Sequence, residues 1–148
     1  MNAAMPVVRT VLTQGSWHAE PVDTITLDFD QRYRRRVSLT SDGGRTFLLD
    51  LPETRLLADG DGLDLGDATG VIKVIAAAED LAEIRPTGHL TLAALAWHLG
   101  NRHMPVEIAD GAIRIRRDPV IEAFAGKIGG EVTGVSAPFN PLSAAHAH

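Results

Sequence analysis

Apolar positions change their spacing about halfway along the chain. Up to about residue 74 they fall in short bursts: Thr24-Ile25-Thr26-Leu27-Asp28-Phe29 alternates with period two, and Phe47-Leu48-Leu49 and Val71-Ile72-Lys73-Val74 are brief runs separated by turn-forming residues. Period two marks a half-buried strand, because successive side chains point to opposite faces of a sheet. No convincing helical period stands out there, so the pattern predicts a small all-β domain over residues 1–74. Its segment Asp59-Gly60-Asp61-Gly62-Leu63-Asp64 lacks the ligand spacing and terminal glutamate of a calcium loop and reads as turn chemistry.

From about residue 75 the pattern reads strand, helix, hairpin, helix, strand. Leu92, Leu95, Ala96 and Leu99 recur at i, i+3, i+4 and i+7, the stripe of a helix facing a core. Gly100 and Asn101 both tolerate the left-handed backbone that closes helices, and Pro105 prevents continuation. Asp110-Gly111 is a two-residue hairpin signal that sets Ile108 opposite Ile113, Val106 opposite Ile115 and Glu107 opposite Arg114. Asp118 is placed to cap a helix with Pro119 at its first position; Ile121, Phe124, Ala125 and Ile128 form its stripe, Gly129-Gly130 ends it, and a strand follows over 131–136. A βαββαβ order with both helices on one face of an antiparallel sheet is the ferredoxin-like arrangement. The expected protein is therefore two-domain: all-β over 1–74, α+β ferredoxin-like over 75–137, and a flexible histidine-containing tail over 138–148, marked by Pro138, Pro141 and its Ala/Ser content.

The first helix-forming stretch leaves one histidine in an unusual place. His103 follows the helix stop, beside Arg102 in a tight turn, and is the leading metal-ligand candidate. His98 lies five residues earlier, so a continuous helix would set the two about 140° apart, unsuited to sharing one ion. Its neighbours are apolar, which favours a packed or interface histidine. One imidazole binds a divalent cation weakly, so a site on His103 needs a second copy of the chain, a flexible segment or solvent. A two-fold axis near it would bring two imidazoles together. The competing structural reading is that His103 caps the last helical carbonyls or pairs with a carboxylate. His146 and His148 form a His-x-His pair on the tail that can chelate and could complete the ion's coordination. His18 and His89 stand in polar or turn contexts and default to the surface.

Composition narrows the chemistry further. Of 148 residues, 45% are hydrophobic and 22% charged, ordinary values for a chain that can build a core. With no cysteine, thiolate metal sites, disulfides and thiol nucleophiles are excluded, leaving imidazole and carboxylate as metal ligands. A net charge of −5 argues against a nucleic-acid partner. The one basic run, Arg32-Tyr33-Arg34-Arg35-Arg36, reads as the solvated start of a strand, with Asp28 and Asp30 upstream. No signal segment and no apolar stretch of membrane-spanning length is visible, so no membrane association and a cytoplasmic location are expected. No Gly-x-Ser-x-Gly, phosphate loop or His-Glu-x-x-His is present, so the chain is not expected to be an enzyme.

Leu99-Gly100-Asn101-Arg102-His103-Met104-Pro105 with Val106-Glu107-Ile108 resembles the signature of the UreE family, the urease accessory nickel metallochaperones. Asp59-Gly60-Asp61, Val74-Ile75-Ala76-Ala77 leading into Glu79-Asp80-Leu81, and Pro138-Phe139 extend the likeness over most of the chain. The resemblance implies a homodimer holding one Ni2+ between the two copies of His103 for delivery to apo-urease, with the urease apoprotein complex and an accessory GTPase as partners. It also implies a β domain of peptide-binding type ahead of the ferredoxin-like one. Family members with peripheral metal sites carry histidines where this chain has Arg116-Arg117-Asp118-Pro119, so no peripheral site is expected. Its short ending, Ala144-Ala145-His146-Ala147-His148, argues against storage of many ions. Zn2+ and Cu2+ would compete for the same donors, so ligand type does not single out nickel. The alternative is a protein-binding adaptor in which His103 is only structural.

Overall fold

The structure, a computed structural model, describes residues 5–66 and 69–142. The chain divides into two units, Met1–Ala77 and Ala78–His148.

The first unit contains β1 (Val7–Val8), β2 (Val11–Leu12), β3 (Asp23–Leu27), a single helical turn α1 (Phe29–Arg32), β4 (Tyr33–Thr40), β5 (Thr46–Leu56), β6 (Gly62–Asp64) and β7 (Val71–Ala76). They form two sheets, in the orders β1-β5-β4 and β2-β6-β7-β3. The β1–β5 and β3–β7 pairings are parallel and the others antiparallel. Period-two alternation decides what each strand buries: Ile25 and Leu27 of β3, and Phe47, Leu49 and Leu51 of β5, enter one core with Val8, Leu57, Leu63, Ile72 and Val74.

Several expectations for this half are corrected. The alternating stretch does not run as a strand to Phe29, and a helical turn is present where none was expected. Asp28 Oδ1 accepts from the Gln31 N–H at 2.8 Å while Gln31 Oε1 accepts from the Asp28 N–H at 3.0 Å, a capping box that ends β3 at Leu27. Arg32, read as a solvated strand residue, closes that turn and is wholly buried, its Nη1 donating to the Leu57 carbonyl at 3.1 Å. The acidic loop behaves as turn chemistry: buried Asp61 accepts from the N–H groups of Gln14 and Ala58, and Asp59 from that of Ala76. The unit ends later than residue 74 because Ile75 and Ala76 stay paired with Thr26 and Leu27.

The second unit contains β8 (Glu79–Pro86), α2 (Leu92–Gly100), β9 (Glu107–Ala109), β10 (Ala112–Arg116), α3 (Pro119–Lys127) and β11 (Gly130–Ala137). Its sheet has the order β11-β8-β10-β9, with every pairing antiparallel. Ala82 and Ile84, with Ile113 and Ile115, share one core with Leu95 and Leu99 of α2 and Ile121 and Ala125 of α3. The hairpin turns on Asp110 and Gly111, whose φ angles of +52° and +75° suit a two-residue loop that matches strand twist. Ile108 faces Ile113 and Glu107 faces Arg114, but the ladder stops there, so Val106 and Ile115 are not paired in it. Arg114 turns instead to Glu83 at 2.9 Å, and Glu107 Oε1 accepts from the Asn140 N–H at 2.8 Å. Asp118 caps α3 through the N–H groups of Val120 and Ile121, with Pro119 in the first turn.

The expected loose tail from residue 138 is corrected at its base. Phe139 is fully buried beside Arg116, and the Leu142 N–H donates to the Val106 carbonyl at 2.9 Å. A buried aromatic ring anchors this stretch because returning it to water costs about 1.5–3 kcal/mol. His146 and His148 lie outside the described residues.

Candidate metal-binding site

Helix α2 delivers His103 to its position. Thr91 caps the helix, its Oγ1 accepting from the Ala94 N–H at 3.0 Å, and buried Leu95 and Leu99 fix the helix on the core. The helix then tightens: the N–H of Arg102 donates to the Leu99 carbonyl at 3.1 Å and that of His103 to the Gly100 carbonyl at 3.0 Å. Three-residue closures of this kind are common at helix ends.

The left-handed residue is not one of the two expected. Asn101 remains right-handed at φ −64°, and His103 itself takes φ +56°. A residue with a Cβ pays roughly 1–2 kcal/mol for that conformation. Packing on both sides imposes it. Upstream, the Arg102 guanidinium lies 4.0 Å from the centroid of the Phe124 ring on α3, and the His98 ring meets the same phenyl edge-on at 5.7 Å. Downstream, Met104 packs against the core and Val106 is buried. With Arg102 held against the Phe124 ring and Met104 packed on the core, the turn between them leaves His103 exposed.

His98 is the packed histidine that its apolar neighbours predicted, wedged between Trp97 at 5.0 Å and Phe124. His18 and His89 are exposed and belong to different units. Among the described residues, no three His, Asp or Glu side chains gather closely enough to hold a metal. His103 therefore does not meet a complete ligand set within the described part of one chain. At the start of α3, Arg117 Nη2 pairs with Glu122 at 2.6 Å and Asp118 caps the helix.

Phe124 also borders an open apolar depression of about 500 Å³, lined by Pro119, Val120, Ala123, Phe124 and Lys127. Val120 at its rim is 73% exposed and Trp97, beyond His98, is 63% exposed. Exposed apolar side chains thus stand both near the end of α2 and on α3. The role of Phe124 as the ring that seats both His98 and Arg102 was not read from the sequence. Its place on the α3 stripe was visible, but the 21 residues between Arg102 and Phe124 hid the contact. Among the described residues, no helix is long and apolar enough to cross a membrane.

Two family models match the chain: UreE urease accessory protein, N-terminal domain, over residues 7–78, and its C-terminal domain over residues 79–148. A urease accessory protein UreE of Bradyrhizobium sp. (strain ORS 278) is 47% identical over 137 residues, 93% of this chain and 65% of its own length. Those of Beijerinckia indica and Rhizobium meliloti are 43% and 45% identical over 93% and 92% of this chain, and 79% and 88% of their own lengths. The chain spans just under two thirds of the length of the two Bradyrhizobium relatives, 65% and 66%.

Proposed function

The chain belongs to the UreE family of urease accessory proteins, and on that premise we propose that it is a metallochaperone that binds Ni2+ and delivers it to apo-urease during assembly of the metallocentre. The observation that carries this reading is His103, an exposed imidazole on a left-handed backbone held between the Arg102–Phe124 stack and buried Val106. Nickel is the cargo, so the site has to bind and also release. Micromolar affinity, about −8 kcal/mol, suits that task. Zn2+ and Cu2+ compete for the same donors.

One imidazole is too weak a site, so the ion sits between the two copies of His103 in a homodimer. The exposed apolar side chains of Trp97 and Val120 support a second copy at this end of the unit, because exposed patches of this kind mark contact surfaces. The strand order β11-β8-β10-β9 and the βαββαβ succession support reading this unit as ferredoxin-like. His146 and His148 supply further ligands. The Leu142–Val106 hydrogen bond sets the start of the tail three residues from His103, and the four residues to His146 span up to about 14 Å when extended. The N-terminal β unit serves the partners, namely the urease apoprotein complex and an accessory GTPase.

Nickel titration followed by mass measurement under native conditions tests this function. One Ni2+ per dimer is expected for the full chain, and none at that affinity for His103→Asn, which suits the left-handed backbone but lacks the imidazole. A variant that keeps one tight ion per dimer overturns the assignment. Deleting residues 143–148 should weaken binding modestly, and complete loss on that truncation would make the tail the anchor instead.

A further inference from the structure

Strand β4 is an edge of the β1-β5-β4 sheet. Among the described residues, no backbone hydrogen bond joins the side of residues 33–40 facing away from β5 to another segment. In an antiparallel pair alternate residues turn their N–H and C=O groups outward, so about half of this strand's backbone groups are open to a further strand.

The same strand exposes Arg34, Arg35 and Arg36 in succession. Arg34 stands directly across from Arg55 of β5, and like charges in that relation destabilise a sheet. Arg36 is paired with Asp50 at 3.2 Å and Arg55 reaches Asp61 at 3.7 Å, while Arg34 and Arg35 meet no carboxylate among the described residues. The register breaks between Arg34 and Arg36, where Leu51, Pro52, Glu53 and Thr54 of β5 stand against Arg35 alone. Bulges of this type re-aim side chains. Guarding an edge against aggregation needs only some charge on it. Placing one arginine across from another at a bulge concentrates positive charge at the open edge, in a chain whose net charge is −5.

We propose that the β4 edge takes an extended acidic segment of a partner protein as an added strand, with Arg34 and Arg35 receiving its carboxylates. This rests on the reading of the N-terminal unit as partner-binding. The open backbone supplies ladder hydrogen bonds, and the two guanidinium groups, adjacent in the strand, supply bidentate, charge-assisted ones to acidic side chains on the two faces of the segment. A nucleic acid would use the charges but not the ladder, and the chain's net negative charge opposes it.

The test uses the full chain and a labelled synthetic peptide of valines and paired glutamates, which offers carboxylates on both faces of an added strand. Saturable binding is expected, with amide NMR shifts concentrated in residues 33–40. The double variant Arg34→Glu/Arg35→Glu should bind about tenfold more weakly or worse. Arg34→Gln/Arg35→Gln should also lose affinity while melting no lower than the parent, since it removes the repulsion with Arg55; this keeps the result readable if the charge-reversed variant misfolds. Nickel titration of the same variants should be unchanged, which separates this surface from the metal site. Unaltered peptide affinity in both variants overturns the proposal. So does equal binding of a valine–serine peptide, tighter binding of a single-stranded oligonucleotide, or loss of self-association in the variants, which would seat a second copy on the edge. Peptide binding with shifts confined to another strand, or no binding of the peptide at all, overturns the β4 proposal; the partner-binding reading itself falls only if the chain also fails to bind the urease apoprotein complex.

Discussion

In the N-terminal unit the carboxylates are engaged by neighbouring backbone and hydroxyl groups, whereas in the C-terminal unit the candidate ligand His103 stands exposed just past the end of α2. The Ser41 hydroxyl first, then the Thr24 N–H, holds the Asp23 carboxyl below the usual carboxylate range. The hydroxyls of Thr24 and Thr26 do the same for Asp42. Asp59 and Asp61 accept from backbone N–H groups. Oxygens bound in this way maintain local geometry, and Arg45 and Arg55 add to what holds Asp23 and Asp61. The C-terminal unit pairs its carboxylates differently, Glu83 with Arg114 and Glu122 with Arg117, which lowers both below the usual range. The contrast teaches that carboxylates engaged by the fold serve local geometry first. Acidic residues are numerous in the first unit, yet their number points to no metal site.

The most severe test of that contrast exchanges one group from each side. His103→Asn should lower nickel affinity by at least about a hundredfold, or 2.7 kcal/mol, with the fold intact by circular dichroism. Asp61→Asn should leave nickel affinity unchanged and destabilise the N-terminal unit. Nickel lost with Asp61 but retained without His103 would invert the comparison.

Core truncation comes next. Phe47→Ala removes a fully buried ring from the first core, and Leu95→Ala removes a fully buried side chain from the second. Stability losses of about 3–5 and 2–5 kcal/mol are expected, read from amide exchange in β5 and in β10 respectively. A smaller effect is expected for Arg102→Ala, which removes the guanidinium from the Phe124 face and should cost about 0.5–1 kcal/mol. Because that stack constrains the turn, nickel affinity should fall a few-fold. Calorimetric melting and titration of one sample read both, and unchanged values for each would remove Arg102 from the support of the site.

The smallest effect concerns acid and salt. Asp23, Asp42, Glu83 and Glu122 all have lowered folded-state values. Their stabilising contributions are therefore present above the unfolded carboxylate pKa of about 4 and disappear as pH falls through the lower folded values. Denaturation below about pH 4 should be less steep for Asp42→Asn and for Glu83→Gln than for the parent. High salt should weaken the Glu83 contribution, an ion pair, more than that of Asp42, which rests on hydroxyl donors. Equal salt sensitivity would erase this part of the distinction between the units.

Some features needed only neighbours in the chain. Asp110-Gly111 set the hairpin and its Ile108–Ile113 register, because two residues of positive φ close only one kind of tight loop. Asp118-Pro119 started α3 for an equally local reason, and the period of Leu95 and Leu99 chose the buried face of α2. Even the candidate His103 was legible, as the histidine following a helix stop. Its conformation was not. Glycine and asparagine nearby have the better intrinsic preference for a left-handed backbone, and packing overrode it. Arg102 is drawn to Phe124 and Met104 to the core, so the reversal falls on the residue between them. The burial of Arg32, the continuation of β7 to Ala76 and the anchoring of Phe139 were hidden for the same reason. Each depends on a partner distant in sequence, and period and propensity carry no information about which distant groups the folded chain brings together.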